Sequence, residues 1–210
     1  FLGLFFLLPV LKVFGASVLD ASGKSFTLSN YVNILSNRFF LNGLTNSLTI
    51  AAAAAVSTVL VGVPFAFCLA RLPISGKPVL LALAALPLVL PSFVGAYALV
   101  LLFGRSGLVT GMLQSIGIPF ESIYGAKGII AVYTLTLYPY VVLPVTAAFK
   151  SIDTSVEEAA QNLGSSRARM LRTVTLPLVL PSILAGGLLV LIEALENFGV
   201  PFVFAEDKTI

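Results

Sequence analysis

The sequence has no histidine, one cysteine, and Asp, Glu, Lys and Arg together make up only 10% of its 210 residues. Without histidine, the commonest general base and the commonest transition-metal ligand are both missing. Cys68 stands alone inside an apolar run, so neither a disulfide framework nor a thiolate metal cluster can form. The scarcity of charge is the strongest constraint. With 58% hydrophobic residues and a mean hydropathy of +1.05, there is too little polar surface to cover a water-soluble globule of this size. The net charge of +3 is spread over the segments between apolar runs and forms no basic stripe, which argues against a nucleic-acid partner.

What is present is a series of long uncharged runs. Residues 39–70, 78–104, 128–149 and 173–192 contain no Asp, Glu, Lys or Arg, and each is long enough to cross a hydrocarbon core that needs about 20 apolar residues. A further run, 1–18, is interrupted only by Pro9 and Lys12. The reading is an all-α polytopic membrane bundle of about five transmembrane helices, at 1–18, 44–70, 79–103, 128–149 and 176–204. Helices are required because lipid offers backbone groups no partners. The chain begins without Met or a basic lead, so residues 1–210 are read as one transmembrane domain truncated at both ends. The second run holds Ala51 to Ala55, Ser57, Gly62 and Ala66, small residues that let neighbouring helices approach closely.

Basic residues near the span ends set the orientation. One choice places Arg71, Lys77, Lys150, Arg167, Arg169 and Arg172 in the cytoplasm and leaves Lys24, Arg38, Arg105, Lys127 and Lys208 outside. The heptapeptide Leu-Pro-Leu-Val-Leu-Pro-Ser occurs at 86–92 and again at 176–182, and two prolines four apart should kink both helices. Gly23-Lys24-Ser25 ends like a phosphate-binding loop, but the first glycine of that motif would fall on Val18, so no nucleotide site is expected here.

Residues 150–177 form the longest charge-rich segment. Ser155 is placed to cap a helix with Glu158 at its third position, a capping box, and Gly164 to end that helix in a left-handed conformation. Ser165 or Ser166 then caps a second helix that carries Arg167, Arg169 and Arg172 toward Pro177. The pattern is helix, glycine turn, helix on the membrane surface.

Within this segment, Glu158-Ala159-Ala160, Gly164, Val174, Leu176 and Pro177 match at every specified position the spacing E-A-A-x-x-x-G-x9-I-x-L-P, with Val174 replacing Ile. The segment therefore resembles the signature of binding-protein-dependent ABC importer permeases of the type I, MetI-like fold. The resemblance implies a multi-pass permease of the bacterial inner membrane that is not an enzyme and carries no cofactor. It further implies that 150–177 is a cytoplasmic coupling loop gripped by ATP-hydrolysing subunits, that an extracytoplasmic solute-binding protein delivers the solute, and that a second permease half or subunit completes the path. Arg167, Arg169 and Arg172 could meet anionic membrane lipid or acidic residues of the ATPase. Residues 86–110, including Phe103-Gly104-Arg105-Ser106-Gly107-Leu108, look like the amino-terminal half of iron(III)-type permeases, which makes iron(III) the expected solute. Thiamine, phosphonate, polyamine, sulfate and molybdate permeases share the framework.

Glu193, Glu196 and Asn197 lie near the end of the last run at a spacing that shares one helix face. Ionisable groups at membrane depth face protein or water, so this face is a candidate for the translocation path; the alternative is that the span ends early, near Leu195, and leaves these groups in the outer headgroup region or in a plain interhelical hydrogen bond. A secondary transporter would have no use for the 150–177 surface, and an intramembrane enzyme would need a catalytic set that the spans do not show.

Overall fold

The computed structural model describes residues 2–20, 23–120 and 123–204, with the side chains of Leu2 and Thr154 left undescribed. Lys208, assigned above to the outer face, lies outside the described residues. The chain divides into two compact units, 1–47 and 48–210.

The first unit holds α1 (Leu2–Ser17), α2 (Ser29–Ser36) and the start of α3 (Arg38–Arg71). Asn30 Nδ2 donates to the carbonyls of Ser17 and Leu19, and the Ser17 and Tyr31 hydroxyls lie 2.7 Å apart, which ties α2 back to the end of α1. Between them, the Asp20 carboxylate accepts from Lys24 N at 3.1 Å and from Ser25 Oγ at 2.8 Å. The Gly23-Lys24-Ser25 turn therefore closes around its own carboxylate, the opposite of a phosphate cradle.

The second unit continues α3 and adds α4 (Lys77–Ala85), α5 (Ser92–Phe103), α6 (Leu108–Ser115), α7 (Ala126–Leu137), α8 (Pro139–Ser151), α9 (Thr154–Asn162), α10 (Arg167–Met170), α11 (Leu176–Glu196) and α12 (Gly199–Phe204). Among the described residues every long element is a helix. Three helical segments are long and apolar enough to cross a membrane, Arg38–Arg71, Ser92–Ser115 and Arg167–Glu196, and a fourth crossing is made if α7 and α8 count as one. Five crossings were expected. The described α1 has 16 residues, or about 24 Å at 1.5 Å per residue against a core about 30 Å thick. The 79–103 run breaks into α4, a 3-10 turn at Leu86–Leu88 and α5, and the crossing length lies instead at Ser92–Ser115.

Proline explains the other interruption. Pro139 has no N–H to donate back along the helix, and α7 and α8 meet there at 42°. The repeated heptapeptide behaves differently in its two copies. At 86–92 the helix stops, and Pro91 (φ −57°, ψ 134°) becomes the residue before α5. At 176–182 the helix runs on, with Pro177 in the first turn of α11 and Pro181 inside it. Identical residues adopt two backbones, so the surroundings and not the heptapeptide decide.

The core lies where α3, α8 and α11 meet. Ala51, Ala54, Ala55, Gly62 and Ala66 of α3 are buried, as the small-residue pattern predicts. A Cβ on Gly62 would come within 2.9 Å of Val141 Cγ1, and one on Gly186 within 2.8 Å of the Tyr140 carbonyl oxygen. Both glycines are thus needed for α8 to pass this close to its neighbours. Phe149, Leu69 and Tyr133 are fully enclosed, and Phe149 meets Phe67 edge-on at 5.5 Å between ring centroids. On the outside of α11, Leu180, Leu184, Leu188 and Ile192 recur every fourth residue and are all well exposed. A stripe of that kind suits lipid or another membrane helix and not water.

Candidate coupling hairpin and span-embedded carboxylates

The polar segment folds as its pattern predicts, with one change of residue. α9 is capped by Asp153, whose Oδ1 accepts from Ser155 N at 2.9 Å. Ser155 is therefore the second residue of the helix and not its cap, and the expected capping box with Glu158 does not form. Asp153 serves better because a carboxylate both accepts the orphan N–H and complements the positive end of the helix dipole. The backbone bond from Ser155, with a smaller contribution from its side chain, holds the Asp153 carboxyl below the usual carboxylate range.

At its other end α9 closes in a Schellman turn. Gly164 has φ +85°, Ser165 N donates to Ala160 O at 3.1 Å and Gly164 N to Gln161 O at 2.8 Å. Ser166 then caps α10 by accepting from Arg169 N, one of the two caps expected from sequence. Gln161 Nε2 reaches Met170 Sδ at 3.4 Å and ties the two arms of the hairpin together.

Beyond α10 the chain makes a π-helical turn, Leu171–Thr175, before α11 begins. That wider turn accommodates Pro177, which cannot donate to the residue four before it. Val174 and Leu176 are half-buried, with Leu176 packed on the core, and Pro177 is exposed.

The motif residues at the tip face outward. Glu158, Ala159 and Gly164 are exposed, Ala160 is half-buried, and no atom lies within 4 Å of a Cβ built on Gly164. Val156 and Leu163 are exposed beside them, Leu163 to 87%. The anchoring side chain is Glu157, the residue before the motif, which sequence reasoning passed over. Its Oε1 takes a 2.7 Å ion pair from Arg71 at the end of α3 and a 2.9 Å hydrogen bond from Thr175 Oγ1. Arg71 was visible in the sequence only as a topological marker, and nothing local links it to a residue 86 positions on.

At the far end of α11 the three candidate path residues separate. Glu193 is half-buried, and its Oε1 accepts from Tyr140 Oη at 3.2 Å. Glu196 is exposed and closes the helix. Asn197 does not share their helix face, because it has left the helix for an extended conformation (φ −81°, ψ 111°). Its amide donates to Ser92 Oγ, its Oδ1 accepts from Val200 N at 3.0 Å, and its carbonyl accepts from Tyr133 Oη at 3.2 Å. Asn197 thus stitches α11, α12, α5 and α7 together.

Several apolar helices long enough for a bilayer, bent at prolines and carrying an exposed helical hairpin, define a polytopic membrane protein of the helical-bundle class. The chain belongs to the family of binding-protein-dependent transport system inner membrane components, whose model matches residues 62–207. It is 32% identical over 214 residues to the spermidine/putrescine transport system permease protein PotB of Haemophilus influenzae, covering 98% of this chain and 74% of that one. It is 35% identical over 202 residues to a probable molybdenum ABC transporter permease protein of Haloferax volcanii, covering 96% and 70%. Its fold is that of a chain in the crystal structure of a bacterial ABC transporter that imports the acidic polysaccharide alginate, with a TM-score of 0.73 at 19% identity over 95% of this chain and 70% of that one. The protein is a multi-pass inner-membrane permease of an ABC importer that works with a solute-binding protein and ATP-hydrolysing subunits.

Proposed function

We propose that the hairpin at 150–177 is the surface on which the cytoplasmic ATP-hydrolysing subunit docks, with Glu158, Ala159, Ala160 and Gly164 at the contact and Val174, Leu176 and Pro177 joining it to the membrane. The observation that carries this reading is the exposure of small and apolar residues on a hairpin whose shape is fixed from within. A short helix with a small-residue face suits insertion into a cleft on another protein. This orientation puts 71–78 and 150–175 in the cytoplasm and 104–127 outside, where Leu108 and Met112 of α6 and Ile116 just after it form an exposed apolar patch for the solute-binding protein.

The solute we propose is a small organic polycation of the spermidine and putrescine kind. The charge-free runs that make up the spans hold no Lys or Arg, and α11 adds two carboxylates, Glu193 and Glu196, at its end, fixed negative charge that suits a cation better than an oxyanion such as molybdate. The expectation of iron(III) draws no support from the relatives above, which are named for polyamine and molybdenum transport. With the transporter reconstituted beside its ATPase and solute-binding protein, spermidine should stimulate ATP hydrolysis and enter the vesicles. Stimulation by molybdate or ferric iron in place of spermidine overturns the solute assignment.

A further inference from the structure

Taking that docking reading as its basis, we infer that the Arg71–Glu157–Thr175 cluster is the element that transmits movement of the hairpin to the membrane helices. Three separate pieces of chain converge on one carboxylate oxygen. Glu157 belongs to α9, Arg71 to the last residue of α3, and Thr175 to the π-turn that leads into α11. Arg71 Nη2 lies 2.7 Å and Thr175 Oγ1 2.9 Å from Glu157 Oε1.

The cluster sits at the wall of an open cleft of about 390 Å³ between α3, α9, α10 and the π-turn, lined by Phe67, Gln161, Arg167, Met170 and Leu171 as well as the three cluster residues. Leu163 at the turn is exposed and Val156 faces a different cleft beside α8 and α11, so neither apolar side chain fills this one. Across it the polar cluster is a direct hydrogen-bonded link from α9 to α3 and the π-turn. Side-chain exposures of 22% for Arg71 and 14% for Glu157 leave the pair partly screened, so it adds little to stability. Its value is directional: a short charge-assisted contact holds distance and orientation between three backbones. Thr175 belongs to the π-turn, a wider turn that interrupts the α-helical hydrogen-bond ladder between α10 and α11. Thr175 is 1% exposed, so a shift of Glu157 is delivered to the buried side of that turn.

The test uses the whole transporter with its ATPase and solute-binding protein in proteoliposomes, and spermidine as the solute probe. Glu157→Gln and Arg71→Ala should keep the ATPase bound at the wild-type ratio while spermidine-stimulated over basal hydrolysis falls about five-fold or more. The exchanged pair Arg71→Glu with Glu157→Arg should recover much of that ratio, which a purely structural role for either residue does not predict. A solute-independent readout runs alongside, with spin labels at Leu72 and Ser165. Their separation should stay constant when ATP and vanadate close the wild-type ATPase, and change in Glu157→Gln. Wild-type coupling in both single variants, loss of the ATPase together with coupling, or a changing label separation in the wild type each overturns the proposal. Failure of the docking reading looks different, because then the wild-type permease itself does not retain the ATPase.

Discussion

Tyr140 donates a hydrogen bond to Glu193 across the α8–α11 pair, with 3.2 Å between the hydroxyl and the carboxylate. The bond gives one oxygen of this half-buried carboxylate a partner inside the protein. Tyr140→Phe should cost about 1 kcal/mol of stability and change the apparent affinity for spermidine more than the membrane yield. Glu193→Gln and Glu196→Gln, separately and together, should lower uptake without lowering yield, since a neutral amide is easier to insert than a carboxylate. Uptake unchanged in the double variant would take this face out of the path.

Gly164 tests the hairpin turn. Its φ of +85° costs a side chain about 1 kcal/mol or more, although the space around it is open. Gly164→Leu should abolish transport and leave insertion intact, while Gly164→Asn, which tolerates the left-handed conformation, should retain more. Pull-down of the ATPase with each variant and uptake by the same vesicles separate the turn from the docking contact. Normal pull-down and normal transport by Gly164→Leu would refute the coupling role.

Asp153 makes the start of α9 sensitive to acid. Its carboxyl is held below the usual range in the folded protein, so its contribution to the helix is complete above the unfolded value and is lost as pH falls through the lowered one. Amide hydrogen exchange at Ser155 and Val156 should therefore accelerate on acidification relative to amides in the middle of α11. Asp153→Asn should flatten that dependence while preserving part of the cap.

Topology is open to labelling. A membrane-impermeant thiol reagent applied from outside should modify Ser115→Cys and spare Ser165→Cys, with Cys68 replaced by serine in both. The reverse pattern would overturn the orientation and the docking site together.

Gly186 probes a close helix contact. A Cβ there would come within 2.8 Å of the Tyr140 carbonyl oxygen, so Gly186→Val must push α8 and α11 apart. A loss of about 1–3 kcal/mol is expected, seen as a lower unfolding temperature of the detergent-solubilised protein; an unchanged temperature would mean that the helices separate freely here.

The sequence was most legible where function depends on local pattern. The charge-free runs marked the membrane segments, small residues marked the buried face of α3, and the helix, glycine turn and second helix of 150–177 followed from caps and spacing. It misled where two local solutions competed: Asp153 and Ser155 are both good caps, and the carboxylate prevailed. It was silent where the partner is distant in the chain. Glu157 looked like a neighbour of the motif until Arg71 and Thr175 met it, and Asn197 looked like a third member of a helix face until its bonds to Ser92 and Val200 drew it out of the helix. The two copies of one heptapeptide make the same point, since only their surroundings distinguish a broken helix from a continuous one.

The stitching at Asn197 has a mechanical consequence. With its side chain on Ser92, its carbonyl on Tyr133 and its Oδ1 on Val200, one end of α11 is pinned to α5, α7 and α12. The opposite end runs into the π-turn, where Thr175 is held by Glu157. The 21-residue α11, about 32 Å long, is therefore tied by side-chain hydrogen bonds at both tips and joins α5, α7 and α12 at one end to α9 at the other.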